Sequence, residues 1–417
     1  MRVLFTHKNF PAQFRHMAEH LGRKPENEVI FATTNPRPEW DIQGVKKVVF
    51  SQSPAHNGSP HPLIRGFDDA VRYGSGLLSV CRELKTKGFV PDILVGHSGW
   101  GQTMFLRDIF PHTPFLAYYE WFYNADGPEI TFDGRKRQES ERAMIRMRNS
   151  AILHDLVSCA GGISPTRWQK SQFPPEFQHR IAQIHDGINT QYFAPAQKQK
   201  LPDIPGVALS GASELLTYCS RGLEPYRGFP QFYQALPQIL GERPGCHVLI
   251  VGEDRVCYSQ KLPDGQTYKE LLTTQVKVDE NRVHFTGPLP YGLYKQVLQA
   301  SSVHLYLTWP FVLSWSFLEA MACGCLIVGS DTPPVKEALE HGHNGLLTDF
   351  ASPDKIAEDV VAALRDKDKL APLRTRARQT ILDRYCLSKT LPRQMELLHK
   401  VAEAGPSARI DVSRKQK

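Results

Sequence analysis

Residues His304 to Gly345 read HLYLTWPFVLSWSFLEAMACGCLIVGSDTPPVKEALEHGHNG. The apolar run Val303–Leu307 has β-branched and aromatic character and reads as a buried strand. Pro310 breaks it. Ser316-Phe317-Leu318-Glu319 has the Ser/x/x/Glu spacing of a capping box, which predicts a helix that starts at Ser316 and stops at Gly324. Leu326–Val328 is a second buried strand, and Ser330–Pro334 is the loop that leaves it. Strand, helix and strand together form the crossover that builds parallel sheets. A helix N-terminus beside the carboxyl end of a parallel strand favours phosphate, because backbone N–H groups and the helix dipole point at it. Glu319 carries two readings: its carboxylate closes the capping box, or it accepts hydrogen bonds from ligand hydroxyls.

Upstream, Leu216–Ser220 reads as a strand followed by the loop Arg221-Gly-Leu-Glu-Pro-Tyr-Arg227-Gly228-Phe229. Arginine offers a planar fork of donors matched to phosphate oxygens, and Gly228 lets backbone come close. Phe232–Leu240 is a helix, and His247–Val251 a strand ending at Gly252. Arg282–Phe285 is a strand ending at Gly287, Pro288 and Leu289, and Tyr291–Ala300 is a helix. Downstream, Ser352–Arg365, Lys369–Arg384 and Cys386–Ala404 have helical character, and Ser407–Lys417 is a polar, frayed end.

The N-terminal half repeats the same grammar. Arg2–Thr6 is a strand, His7–Gln13 a loop, Phe14–Leu21 an amphipathic helix and Val29–Ala32 the next strand, which predicts a doubly wound sheet. No G-x-G-x-x-G follows the first strand, so no dinucleotide cofactor is expected. Residues 51–61 form a loop, and Phe67–Lys87 a helix. Pro91–His97 is a strand ending in Gly-His-Ser-Gly-Trp-Gly; small residues there let a ligand approach the backbone. Pro114–Glu120 is another strand, closing on a carboxylate. Asp133–Arg148 reads as one mixed-charge helix, continued by Asn149–Leu156, with Ser158–Ile163 and Ile181–Ile184 as the last strands. Residues 194–206, Pro- and Lys-rich and without periodicity, read as a linker. The expected organisation is therefore an N-terminal domain over 1–193, a linker over 194–206, a second domain over 207–385, and 386–417 as a helix crossing back to the first domain plus a polar tail.

LEAMACG (318–324), LIVGSDTPPVKEAL (326–339) and HGHNGLL (341–347) closely resemble the donor-binding half of family 4 glycosyltransferases. The resemblance implies an α/β fold of two Rossmann-like doubly wound domains facing a cleft (GT-B), and a retaining transfer of a hexose from a nucleotide-diphosphate sugar to a glycan or lipid-linked acceptor. Glu319 matches the family's ribose-binding glutamate. The family's second glutamate, eight residues earlier and touching the sugar, is Phe311 here, and Val312-Leu313-Ser314-Trp315 replace the usual Gly-Phe-Gly-Leu. Arg221 and Arg227 resemble the Arg/Lys pair that clamps the diphosphate, one residue further apart. The implied donor site therefore takes in Arg221, Arg227, Gly228, Gly252, Gly287, Pro288, Leu289, Phe311, Leu313, Ser314, Trp315, Ser316 and Glu319, with Arg221, Arg227, Glu120 and Glu319 in catalysis. Glu120 takes the place of a histidine that faces the sugar in many relatives. Phe10, Gln13, His97, Gly99, Trp100 and Tyr119 are assigned to the acceptor side. Two other readings share these residues: a degenerate protein that binds nucleotide or glycan without turnover, and a nucleotide-sugar epimerase of the same fold.

The 417 residues leave room for two ordinary domains, with 41% hydrophobic residues to build their cores. The net charge of +7 suits an anionic ligand such as a UDP- or GDP-linked hexose. It also suits transient contact with a membrane surface. No recognisable nucleic-acid module accompanies it, so no nucleic-acid partner is expected. The eight cysteines are scattered, with only Cys323 and Cys325 close together and no zinc spacing. No metal is expected, because two arginines on the diphosphate would make one unnecessary. The sequence opens directly on a strand and has no membrane-length apolar stretch, so a cytoplasmic protein, peripheral at most, is expected.

Overall fold

The computed structural model describes residues 1–55, 58–197, 200–406 and 408–412. Parts of the loop at 51–61, of the linker at 194–206 and of the tail at 407–417 therefore lie outside the described residues. The chain divides into two compact units. Unit 1 comprises Met1–Asp186 with Ser388–Lys417, and unit 2 comprises Gly187–Leu387.

Unit 1 is built on seven parallel strands: β1 (Arg2–Thr6), β2 (Glu28–Thr33), β3 (Val45–Val49), β4 (Ile93–His97), β5 (Phe115–Tyr118), β6 (Gly161–Ser164) and β7 (Ile181–Gln183). Their order in the sheet is β3-β2-β1-β4-β5-β6-β7. Val3-Leu4-Phe5 and Ile93-Leu94-Val95 are continuous apolar runs, at most 1% exposed, because helices cover both faces of a parallel sheet. Phe5 packs with Phe14 and Phe31, at ring-centroid distances of 5.6 and 6.0 Å. Each such buried side chain contributes about 1.5–3 kcal/mol of transfer free energy. The Leu387–Ala404 helix joins this core through Met395, Leu398 and Val401.

Unit 2 has six parallel strands: β8 (Glu214–Gly222), β9 (Cys246–Glu253), β10 (Val283–Gly287), β11 (Val303–Tyr306), β12 (Ile327–Ser330) and β13 (Leu346–Thr348). Their order is β10-β9-β8-β11-β12-β13. The decisive stretch folds as read: β11, a helix over Trp315–Ala322, then β12 beside β11 with His304 opposite Ile327. Phe317, Leu318 and Met321 on that helix are fully buried.

Several local expectations fail for identifiable reasons. The mixed-charge helix covers only Glu139–Met147, capped by a box between Gln138 and Glu141. Ahead of it, Arg137 pairs with Asp133 and Arg135 with Glu141, so these charges tie a loop instead of lining a helix face. A second helix, Ser150–Ser158, starts separately. The strand β3, VKKVV, is only half buried and lacks a clean apolar run. Residues 408–412 are not frayed: Ile410 N–H bonds the Ala160 carbonyl and Val412 N–H the His179 carbonyl. Among the described residues no helix is long and apolar enough to cross a membrane.

Candidate functional site

In unit 2 the strand order reverses between β8 and β11. Open α/β sheets bind ligands outside the carboxyl ends of strands at such a reversal. The loop after β8, the loop after β11 and the start of the Trp315–Ala322 helix all lie there.

Arg227 connects them. It is 5% exposed, on a short 3₁₀ turn. Its Nη1 donates to Thr308 Oγ1 (2.7 Å), the Val312 carbonyl (3.0 Å) and the Tyr306 hydroxyl (3.2 Å). The guanidinium lies 5.3 Å from the Tyr258 ring centroid. Burial acts against its charge, but Tyr306, Tyr258 and Glu224 outweigh it and raise the pKa. Sequence reasoning grouped Arg221 and Arg227 as one forked clamp on the diphosphate. Instead, Arg227 is buried with Nη1 occupied inside the protein, and Arg221, near the end of β8, is the exposed member.

The helix begins one residue earlier than the capping box implied. Ser314 is the N-cap: its Oγ accepts from the Ser316 N–H at 3.3 Å, and its own N–H donates to the Tyr306 hydroxyl at 2.9 Å. A capping box needs its acid at the third helical position, and that is Phe317. Glu319 therefore cannot reach back, and its carboxylate instead accepts a hydrogen bond from the Tyr294 hydroxyl at 2.8 Å. The Ser316 hydroxyl donates to the Cys219 carbonyl at 3.4 Å, which pins the helix start against β8 two residues before Arg221. Helix N-terminus, buried guanidinium and Glu319 thus share one end of one sheet.

Glu319 is 7% exposed, and burial pushes its pKa up to about 7 against the donation from Tyr294. The folded state therefore holds this proton to higher pH than the unfolded chain, whose value is near 4.5. Its ionisation costs nothing below the unfolded value, and the cost grows as pH rises to about 7. At full ionisation that is on the order of 3 kcal/mol. Replacing Glu319 with Gln should thus leave the melting temperature nearly unchanged at pH 5 and raise it at pH 8. Parallel shifts at both pH values would contradict the buried, raised carboxyl.

The remaining donor-side residues separate into packing and exposed groups. Phe311 is 5% exposed, edge-on to Tyr226 (5.5 Å) and Tyr258 (5.2 Å). Leu313 belongs to the unit 2 core. Gly228 has φ +66°, and a Cβ there would stand 2.5 Å from the Leu307 Cβ. The close approach it permits is to the protein's own β11 loop. Gly252 similarly lies against the Ser220 carbonyl. Gly287 and Leu289 are half buried and Pro288 is exposed, where the chain leaves β10 at the sheet edge. Trp315 and Ser316 are half buried in the first helical turn.

Unit 1 has its own reversal, between β1 and β4. His97, at the end of β4, is 2% exposed and stacks on Trp100 (4.1 Å, 12°). His7, just after β1, stands edge-on to both rings at 4.9 Å. Glu120 Oε2 lies 3.6 Å from His97 Nε2, and Gln13 Nε2 donates to Glu120 Oε1 at 3.3 Å. Gly99 bridges His97 and Trp100 with φ +116°. Gln13, His97, Gly99, Trp100 and Glu120 are therefore brought together. Phe10 and Tyr119 are not. Phe10 packs on Phe31 in the core, and Tyr119 is 1% exposed with its hydroxyl donating to Cys159 Sγ. Successive strand residues alternate in direction, so Tyr118, not Tyr119, faces His97 (5.4 Å). Tyr118 also bonds Asp186, and burial first, then Asp186 and Glu120, hold its pKa well up. Sequence reasoning missed His7, Tyr118, Asp186, Tyr258 and Tyr294. Only His7, at the mouth of the first strand, carried a positional signal.

Residues 25–193 match the model of the glycosyl transferase family 4 group, and residues 207–380 match that of glycosyl transferases group 1. A phosphatidyl-myo-inositol mannosyltransferase of Mycolicibacterium smegmatis is 23% identical over 58% of this chain and 57% of its own length. An N-acetyl-alpha-D-glucosaminyl L-malate synthase of Bacillus anthracis is 24% identical over 31% of this chain and 34% of its own. The chain thus spans less than two thirds of these curated relatives. Among solved structures, Anabaena HepE in complex with UDP and glucose superposes with a TM-score of 0.70 at 15% identity, covering 96% of this chain and 100% of that one. Sucrose-phosphate synthase of Thermosynechococcus elongatus gives 0.73 at 15% identity, covering 97% and 100%. Both likenesses establish the GT-B fold.

Proposed function

The chain carries two glycosyltransferase-family domains, and on that premise we propose that it is a retaining glycosyltransferase that moves a hexose from a nucleotide-diphosphate sugar to a glycan or lipid-linked acceptor. The observation that carries this reading is the meeting of Arg227, the Ser314-capped helix start and Glu319 at the β8/β11 reversal. A GDP-mannose-dependent mannosyltransferase relative of Corynebacterium glutamicum and the UDP-bound HepE support a UDP- or GDP-linked donor.

In this reading unit 2 binds the donor. Arg221 and the first-turn amides of the helix receive the diphosphate, with the buried Arg227 charge beneath them. As the sugar–phosphate bond breaks, negative charge builds on the diphosphate, and fixed donors stabilise it without reorganising. Glu319 takes the ribose hydroxyls, in exchange for or alongside the Tyr294 hydroxyl. The base is assigned to Gly287–Leu289. Unit 1 supplies the acceptor side through Gln13, His97, Trp100 and Glu120. Retention follows from attack on the face the diphosphate leaves, with the departing phosphate taking the acceptor's proton. The aromatic packing of Phe311 makes the wall beside the sugar apolar.

Two guanidinium groups bring the charge a divalent ion would otherwise supply, so the proposed transfer proceeds without one. Incubation with a panel of nucleotide sugars and acceptors should release nucleoside diphosphate, to a similar extent with and without EDTA. Tight donor binding with no release would favour a non-catalytic binder, and an altered sugar on intact donor would favour an epimerase. Abolition by EDTA would reject the metal-independent step.

A further inference from the structure

Glu224 lies two residues beyond β8 and is completely buried. Its Oε2 accepts three consecutive backbone N–H groups, those of Cys257 (2.9 Å), Tyr258 (2.8 Å) and Ser259 (2.8 Å). Successive amides that converge on one point form a nest, a concave site that ordinarily holds an anion. Here the protein fills it with its own carboxylate. A second tie runs alongside, from the Tyr226 N–H to Ser259 Oγ at 3.0 Å. The nest also fixes Tyr258, whose ring lies under the Arg227 guanidinium and edge-on to Phe311. Arg227 in turn holds the Val312 carbonyl, two residues before the helix cap. Glu224 Oε1 is buried with no hydrogen-bond partner among the described residues. Glu224 also lies close enough to Arg227 to favour the guanidinium's charge. A helix cap or a turn needs nothing so costly as a desolvated carboxylate.

We propose that Glu224 is a positioning residue for the donor diphosphate: by filling the 257–259 nest it fixes Tyr258, and through it the Arg227 guanidinium, in the arrangement the leaving diphosphate requires. The assignment rests on the proposed function. It predicts a defect in the step in which charge builds on the diphosphate, rather than in capture of the donor.

The test compares Glu224→Ala and Glu224→Gln with the wild type, on the donor turned over fastest, with sodium formate or sodium chloride. Glu224→Ala should lose about 10²-fold in kcat, the scale for one misplaced transition-state donor, with little change in donor KM. Formate should restore part of that rate and raise the melting temperature of Glu224→Ala, but not of the wild type, whose nest is already filled. Glu224→Gln keeps an oxygen for the three amides and should fall between the two. A folded Glu224→Ala with wild-type kcat overturns the assignment. So does a Glu224→Ala whose rate and melting temperature both ignore formate. A wild type that turns over no donor fails the proposed function instead, and the formate-dependent melting then decides the nest on its own.

Discussion

Arg227→Ala should lower kcat by 10²- to 10³-fold, about 2.7–4 kcal/mol in transition-state stabilisation. The reasoning is positional. Nη1 binds Thr308, Tyr306 and the Val312 carbonyl at once, so the side chain both carries charge and fastens the loop that leads into the Ser314 cap. Removing it also strands buried acceptors, at about 1–3 kcal/mol of stability. Rates must therefore be compared at a temperature where melting shows the variant folded. Arg227→Lys keeps a charge but replaces the planar guanidinium beside the Tyr258 ring with a compact ammonium, so it should remain well below wild type. Wild-type turnover in either folded variant would remove Arg227 from the mechanism.

Phe317→Ala should destabilise unit 2 by about 3–5 kcal/mol, the cost of truncating a buried aromatic. Phe317 is 0% exposed and stacks on Tyr306 at 4.6 Å. That tyrosine's hydroxyl receives both Arg227 and the Ser314 N–H. The cavity would open directly beneath the helix start, so donor affinity should fall with stability. A loss of stability with unchanged donor affinity would mean that helix and binding site are uncoupled. Denaturant unfolding, followed by titration of nucleoside diphosphate into the folded variant, separates the two.

The parallel sheets were legible in the sequence because each central strand is a continuous apolar run, VLF at 3–5 or ILV at 93–95, flanked by helical periodicity. The crossover from β11 to β12 was legible for the same reason. Side-chain direction and partnership were not. Glu319 had the right spacing from Ser316 for a capping box, but the cap is Ser314, two residues earlier, and this moves the acid out of reach. Its actual partner, Tyr294, lies on a separate helix packed there by tertiary structure alone. Tyr118 and Tyr119 are adjacent in sequence and differ only in the face of the strand they occupy. Arg221 and Arg227 looked equivalent as charges in one loop. The fold buries one and exposes the other, because Arg227 has acceptors from β11 waiting for it. The polar end at 408–412 lacks any periodic signal, yet two backbone hydrogen bonds dock it onto unit 1.

The claim that matters most is that the β8/β11 reversal of unit 2 holds a nucleoside diphosphate. Calorimetric titration of UDP and GDP into the wild type and Glu319→Ala tests it most directly. One of the two nucleotides should bind the wild type at a single saturable site, and Glu319→Ala should weaken it by about tenfold or more, the loss of a hydrogen bond to a charged group. Failure of both nucleotides to bind, or equal affinity in the two proteins, would contradict the account.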